Sequence, residues 1–299
     1  MIHVSAGSPN SISLELYLSF LSGLPKKIQK NYCLHIDPSF LADYSKKVGL
    51  NYNDVNVQPL TAPIEELCMT SLSSAISHLS SKDVLFNLPA NKDEIVYKTK
   101  PYMGHTEFLR HLWEIPELPM SFLAPGCALL LLTDHVPLKQ VPHFLKRELI
   151  IKKVNLFLHH YPNADHLKRI VFWGLNPHAG ENGLLGNEEL EISLAINTLK
   201  SQHPSLNFLG PRPSDGNFSL KANTQSIPDE LIVSCYHDQG LVFFKSTYGF
   251  LGANCTFSGK NLRLSPDHGT AKDLLYQRKG IYSSLLWCHQ LLLHWGAIL

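Results

Sequence analysis

The chain has 299 residues, 44% of them apolar and 17% charged, with a formal net charge of +1. Length and polarity together allow one large or two medium domains with a sizeable core, and they exclude disorder as the ground state. The near-neutral balance gives no electrostatic footprint for nucleic acid or an anionic membrane, so any anionic ligand has to be held by local groups. The six cysteines (33, 68, 127, 235, 255 and 288) contain no CxxC pair. Neither a zinc ribbon nor a disulfide framework is suggested, and a reduced, cytoplasmic compartment is expected. The amino end shows no basic stretch leading into an apolar segment, so no signal peptide is expected. The longest aliphatic run, Ala128 to Leu132, is far short of the roughly 20 residues that span a bilayer.

In chain order, residues 2 to 4 lead into Gly7 Ser8 Pro9 Asn10, and a helical pattern follows from Ser11 to Leu21, capped by Asn10 or Ser11. Asp37 Pro38 opens a second helix-like segment that runs through Leu50. Asp83 to Phe86 reads as a buried strand. Gly104 His105 Thr106 Glu107 precedes a helix from Phe108. Ala128 to Leu132 reads as a strand that ends at Thr133 Asp134 His135, and the helix-like sequence between Gln140 and His160 starts at Pro142. The β-type run Arg169 to Trp173 enters the turn GLNPHAGENGLLG at Gly174 to Gly186, and a helix follows over Asn187 to Lys200. Residues 201 to 230 read as loop with one short strand around Phe208. Leu231 to Cys235 is the next strand, ending at Tyr236 His237 Asp238 Gln239 Gly240, and Leu241 to Lys245 is a further apolar run. The chain then passes Asn254, Arg263 and Asp267 to Ala271, and Ser284 to Leu299 reads as a packed terminal helix. Strands alternating with helices argue for an α/β fold with a largely parallel sheet.

Three of the sixteen histidines share one local grammar. His135, His178 and His237 each follow a strand-like run, and each has a carboxylate close by in sequence, namely Asp134, Glu181 and Asp238. A lone histidine in such a place reads as structural. Three at the carboxyl ends of neighbouring parallel strands could hold a catalytic metal at about 2.0 to 2.1 Å, with the carboxylates fixing the rings. This reading requires the three strands to be neighbours. Lys245, Asn254 and Arg263 could hold a phosphate or carboxylate, or the two cations could simply be solvated. No GxGxxG or GxxxxGK[ST] signature is present. On residues alone the reading ends at an α/β protein with a possible metal and anion site.

Taken together, the motifs PANK (89 to 92), GHTEFL (104 to 109), TDHVPL (133 to 138), GLNPHAGENG (174 to 183), GPRPSD (210 to 215), YHDQGL (236 to 241) and DHGTA (267 to 271) resemble the 4-hydroxythreonine-4-phosphate dehydrogenase family of vitamin B6 biosynthesis. The resemblance implies a two-domain fold like that of isocitrate and isopropylmalate dehydrogenases, with an interdomain cleft. Residues 1–108 with 258–299 would form the first domain, and 109–257 a second that carries most metal ligands and the dimer interface. It implies a homodimer with the active site at the interface, and a divalent metal (zinc, magnesium or cobalt) on His135, His178 and His237. His105, Thr106, Lys245, Asn254 and Arg263 would contact a small phosphorylated substrate, while His268, Gly269, Thr270 and Ala271 would border NAD or NADP. Asp238 and Asp267 are the candidates for general base. The implied reaction is oxidative decarboxylation of 4-phosphooxy-L-threonine. Two alternatives are the same chemistry on a threonate or erythronate phosphate, and a decayed member that binds ligand and metal without hydride transfer.

Two stretches depart from the family pattern. Its amino-terminal turn reads close to GDPAGIGPE, whereas Gly7 to Glu15 here reads GSPNSISLE. Glycine permits positive φ and close backbone approach, which serine resists, so an altered loop is expected around Ser8, Ser11 and Ser13. Leu275 Tyr276 replaces small residues after DHGTA, where a tyrosine would reshape a cofactor surface. The chain is also expected to be somewhat short for the family, with the loss before residue 83.

Overall fold

The computed structural model describes residues 1–216, 227–259 and 261–298. The chain divides into two compact units, one made of Met1–Glu114, Phe250–Asn254 and Lys260–Leu299, the other of Ile115–Gly249 and Cys255–Gly259. The division falls within the strand Ala253–Phe257.

In the first unit the strands run in the order Leu262–Pro266, Val84–Asn87, Ile2–Ser5, Tyr32–Ile36, Asn56–Pro59, all parallel. Ile2–Ser5 and Tyr32–Ile36 are buried along their whole length, as strands of a parallel sheet covered on both faces must be. The helices are Ser13–Ser22, Pro38–Val48, Leu67–Ser77, His105–Trp113 and Ser283–His294, besides the short turn of helix Lys26–Gln29. Pro38–Val48 shows why the sequence signals are legible: the Asp37 carboxylate accepts from Ser39 N at 2.9 Å and Phe40 N at 3.3 Å, and Gly49 ends the helix at φ 65°. The helix expected from Phe108 begins earlier, at His105, so the GHT motif is itself the first helical turn.

In the second unit the order is Asn207–Arg212, Arg169–Trp173, Glu230–Ser234, Cys127–Leu131, Met120–Ala124. The first four are parallel, and the last pairs antiparallel with its neighbour through a turn containing Gly126 at φ 74°. The strand Met120–Ala124 has no counterpart in the sequence reading. Its face, with Phe122, packs against Leu129, Leu131, Trp173 and Phe244. Helix begins beside Pro142 as expected, with the proline in the first turn of Val141–Phe144, but non-helical backbone at Leu145 and Lys146 separates it from Arg147–His160. Leu241 to Lys245 lies inside the helix His237–Tyr248. The expected loop 201 to 230 contains the end of helix Glu188–Gln202 and the strand Asn207–Arg212, and its residues 217–226 lie outside the described residues. No helix among the described residues is long and apolar enough to cross a membrane.

The variant loop at residues 7–15 is tied into its own unit. Ser8 N donates to Pro89 O at 3.0 Å, Asn91 Nδ2 donates to Ser8 Oγ at 2.6 Å, and Ile12 N donates to Thr270 O at 3.0 Å. Neither Ser11 nor Ser13 is among the residues with positive φ, so serine at these two positions meets no conformational penalty. Gly7 does need its freedom: it has φ 68°, and a Cβ would press on the Pro89 carbonyl and stand 3.0 Å from Leu88. Gly7→Ala is expected to cost about 1 to 3 kcal/mol of stability, read as a lowered urea midpoint. An unchanged midpoint would contradict this conformation.

Candidate functional site

Three histidine-bearing strand ends meet only if their strands are neighbours, and in the second unit they are: Glu230–Ser234 pairs with Cys127–Leu131 on one side and Arg169–Trp173 on the other. Hydrogen bonds extend this pairing past the strand ends. Thr133 donates to Cys235 O from both N (3.1 Å) and Oγ1 (2.8 Å). Gln239 accepts from Cys235 N at 2.7 Å and donates through Nε2 to Gly174 O at 2.7 Å. The TDH, GLNPHAG and YHDQG stretches are thereby stitched together.

His135 and His237 come together with ring centroids 5.8 Å apart, beside an open pocket of about 230 Å³ that Thr133, Tyr236 and Asp238 also line. His178 lines a separate pocket with Glu181, Asn187 and Pro211. Among the described residues, the one group whose metal-ligating atoms all lie within 4.8 Å of one another is His3, Cys33 and His35; the three strand-end histidines of a single chain do not meet that criterion. The carboxylates divide. Nδ1 of His178 donates to Glu181 Oε1 at 2.6 Å, and Nδ1 of His237 donates to Asp238 Oδ1 at 2.7 Å, which leaves each Nε2 as the lone-pair nitrogen. Asp134 turns inward and pairs with Lys153 at 3.6 Å, both buried. Nothing in the local sequence of the TDH motif announces Lys153, which lies on the helix Arg147–His160.

His135 (φ 47°) and His178 (φ 52°) both hold left-handed backbone, and the strain continues through Ala179, Glu181 and Asn182. Glu189 anchors that turn. It is buried, and it accepts from Asn176 N at 2.8 Å and from Asn176 Nδ2 at 3.0 Å. Gly180 at φ 79° leaves room for the Glu189 carboxylate, which a Cβ would approach to 2.6 Å.

The first unit carries a buried polar cluster. Arg263 is 3% exposed, and donates to Asn254 Oδ1 at 2.9 Å and to Asn87 Oδ1 at 3.4 Å. Asn87 in turn donates to Ser5 Oγ at 3.1 Å. His105 and Thr106, on the first turn of their helix, are also buried. Burial, and then the positive charge of Arg263, push the His105 imidazole down to about 3, so it is neutral at physiological pH. Lys245 lies exposed on the helix His237–Tyr248 of the second unit. Asp238 is exposed, whereas Asp267 is half-buried and its amide donates to Gly252 O at 3.1 Å. In the DHGTA stretch His268 is buried and its Nδ1 donates to Gly269 O at 3.0 Å, while Ala271 has φ 40°. Tyr276 sits at φ 64° with its ring 5.5 Å from that of Tyr44.

Parallel strands with polar and ionisable groups gathered beyond their carboxyl ends define an α/β enzyme. The family model described as pyridoxal phosphate biosynthetic protein PdxA matches residues 26–291. The 4-hydroxythreonine-4-phosphate dehydrogenase of Aquifex aeolicus is 30% identical over 95% of each chain, and that of Helicobacter pylori strain J99 is 30% identical over 95% of this chain and 96% of its own. The chain belongs to the 4-hydroxythreonine-4-phosphate dehydrogenase family, a family of oxidoreductases. Among solved structures, the Klebsiella pneumoniae 4-hydroxythreonine-4-phosphate dehydrogenase superposes with a TM-score of 0.78 at 22% identity over 99% of both chains. The isocitrate dehydrogenase of Methylococcus capsulatus follows at 0.51 and 12% identity, covering 99% of this chain and 86% of its own. The expected fold class, an α/β fold of the isocitrate dehydrogenase kind, is thus observed.

The buried His105 gives a pH signature. Its folded-state pKa lies below the value of 6.5 usual for histidine, so the unfolded chain binds this proton more tightly. Its contribution to stability is complete above about pH 6.5 and is lost as pH falls towards about 3. His105→Gln is expected to flatten the acid loss of stability, followed as the urea midpoint across that window. An unaltered pH profile would show that the group titrates normally.

Proposed function

We propose that the protein oxidises the C3 hydroxyl of 4-phosphooxy-L-threonine with NAD or NADP and releases carbon dioxide, giving 3-amino-2-oxopropyl phosphate for pyridoxal phosphate synthesis. The observation that carries this reading is the stitched set of strand ends that presents His135 and His237 together. Three imidazoles, two of them with Nδ1 engaged by carboxylates, suit a borderline divalent ion such as zinc or cobalt better than magnesium, which prefers oxygen. His135, His178 and His237 would hold that ion, and bound there it would act as a Lewis acid towards the substrate oxygens while the nicotinamide accepts the hydride.

The remaining tasks belong to the chain's own side chains. Arg263 offers a planar fork and Lys245 a point charge for the phosphate and carboxylate of the substrate. Arg263 is already oriented by Asn254 and Asn87, so little side-chain freedom is lost when an anion binds. His105, neutral and buried, serves as a hydrogen-bonding group rather than a charge, with Thr106 beside it in sequence. Asp238 accepts from His237 and fixes that ring, and Asp267 is the other candidate for general base. His268, Gly269, Thr270 and Ala271 would border the cofactor.

His178 stands apart from the His135 and His237 pair, and this favours an ion shared between two copies of the chain, one supplying the pair and the other His178. A homodimer with its active site at the interface follows from that reading. Metal-loaded protein is expected to form NADH or NADPH from 4-phosphooxy-L-threonine with a higher kcat/KM than from threonate or erythronate phosphates; a reversed order would reassign the substrate, and no reduced cofactor with any of them would overturn the reading. His178→Ala and His135→Ala should each be inactive while remaining folded. Mixing the two after dissociation should restore part of the activity if the ion is shared, and restore none if each chain holds its own.

A further inference from the structure

We propose that His3, Cys33 and His35 form a second metal-binding site, separate from the strand-end histidines, that takes a thiophilic borderline divalent ion such as zinc(II). The three residues lie on the adjacent parallel strands Ile2–Ser5 and Tyr32–Ile36, where His3 pairs directly with Cys33 and His35 pairs with Ser5. Cys33 and His35 are two apart on one strand and share a face, while Tyr32, Leu34 and Ile36 take the other. The face shared by His3, Cys33 and His35 would ordinarily be apolar, because the helix Leu67–Ser77 packs against both strands. All three side chains are buried, and their ligating atoms lie within 4.8 Å of one another.

The groups around the cluster orient the rings as outer partners of a metal site do. His35 Nδ1 lies 2.9 Å from Ser74 Oγ, and His3 Nε2 lies 3.6 Å from an Asp83 carboxylate oxygen. With those outer nitrogens protonated, His3 Nδ1 and His35 Nε2 face each other as lone pairs only 2.9 Å apart. Two facing lone pairs at that distance need a proton or a cation between them. Cys33 Sγ completes a set of two imidazoles and one thiol, the donor combination that selects zinc or cobalt over magnesium and calcium. Binding would release the thiol proton to solvent as the ion–thiolate bond forms. His78 stands on the exposed side, its ring 5.1 Å from that of His35 and 6.2 Å from that of His3. Its Nδ1 donates to Ser74 O at 2.8 Å, so Nε2 keeps its lone pair.

The competing arrangement has no ion: Ser74 donates to His35, His35 donates to His3, and His3 donates to Asp83. Cobalt(II) titration of the reduced, full-length protein without a polyhistidine tail separates the two, because the strand-end histidines bring no sulfur to their ion. A thiolate-to-cobalt charge-transfer band is expected to saturate with a single equivalent of thiolate-bound cobalt, to persist in His135→Ala and His178→Ala, and to vanish in Cys33→Ser. Ser74→Ala keeps every ligand, and removes only the outer partner of His35. It is expected to weaken the ion's binding by about 10 to 100-fold, which decides the matter even if Cys33→Ser does not fold. Absence of the band from the wild-type protein, or its survival in folded Cys33→Ser, would overturn the site.

Discussion

The structure depends on one constraint: the strand Glu230–Ser234 is paired in parallel on both sides, with Cys127–Leu131 and Arg169–Trp173. Parallel pairing aligns three carboxyl ends at one edge, so the residues that follow each strand emerge as neighbours although they lie far apart in sequence. Backbone pairing runs past the strand ends as far as Thr133 N to Cys235 O. Thr133 and Gln239 carry the register onward with side-chain hydrogen bonds to Cys235 and Gly174. Those bonds are what turn a sheet edge into a site, because they fix the departure of each loop. The left-handed backbone at His135 and His178 is then held by its surroundings, with Glu189 tethering the second turn through Asn176.

Buried charge is managed differently in the two units. In the second, Asp134 and Lys153 neutralise each other under the TDH turn, both withdrawn from solvent. Removing either would cost the other a buried counter-charge, a larger penalty than losing an exposed pair. In the first, Arg263 is buried with Asn254 and Asn87 as hydrogen-bond acceptors, and its field helps to keep His105 neutral. A buried guanidinium oriented by amide oxygens presents a planar, preset fork, which suits it to an anion.

Much of this was legible in the sequence, because strands and their exit residues carry local signals. Apolar runs ending in TDH, GLNPHAG and YHDQG placed His135, His178 and His237 at strand ends, and Asp37 Pro38 with Gly49 marked a helix by its caps alone. Where partners are distant the sequence was silent. Lys153 is an ordinary lysine on a helix until the fold sets it against Asp134, and Glu189 is one of several acids in the first turn of its helix. The strand Met120–Ala124 carries no distinct local signal, because its turn at Gly126 is short and its neighbour is a continuous apolar run. His3, Cys33 and His35 are joined only by the register of two strands, which no local pattern encodes. The serines in the loop at residues 7–15 looked unsuited to glycine positions, yet Ser11 and Ser13 avoid positive φ and Ser8 is hydrogen-bonded to Asn91.

The aligned strand ends are proposed to gather an ion at His135 and His237. Anomalous diffraction from cobalt-loaded crystals of the protein, measured at the cobalt absorption edge, tests it most directly. A peak is expected within bonding distance of the imidazole nitrogens of both His135 and His237. A fully loaded crystal without any peak beside that pair would contradict it.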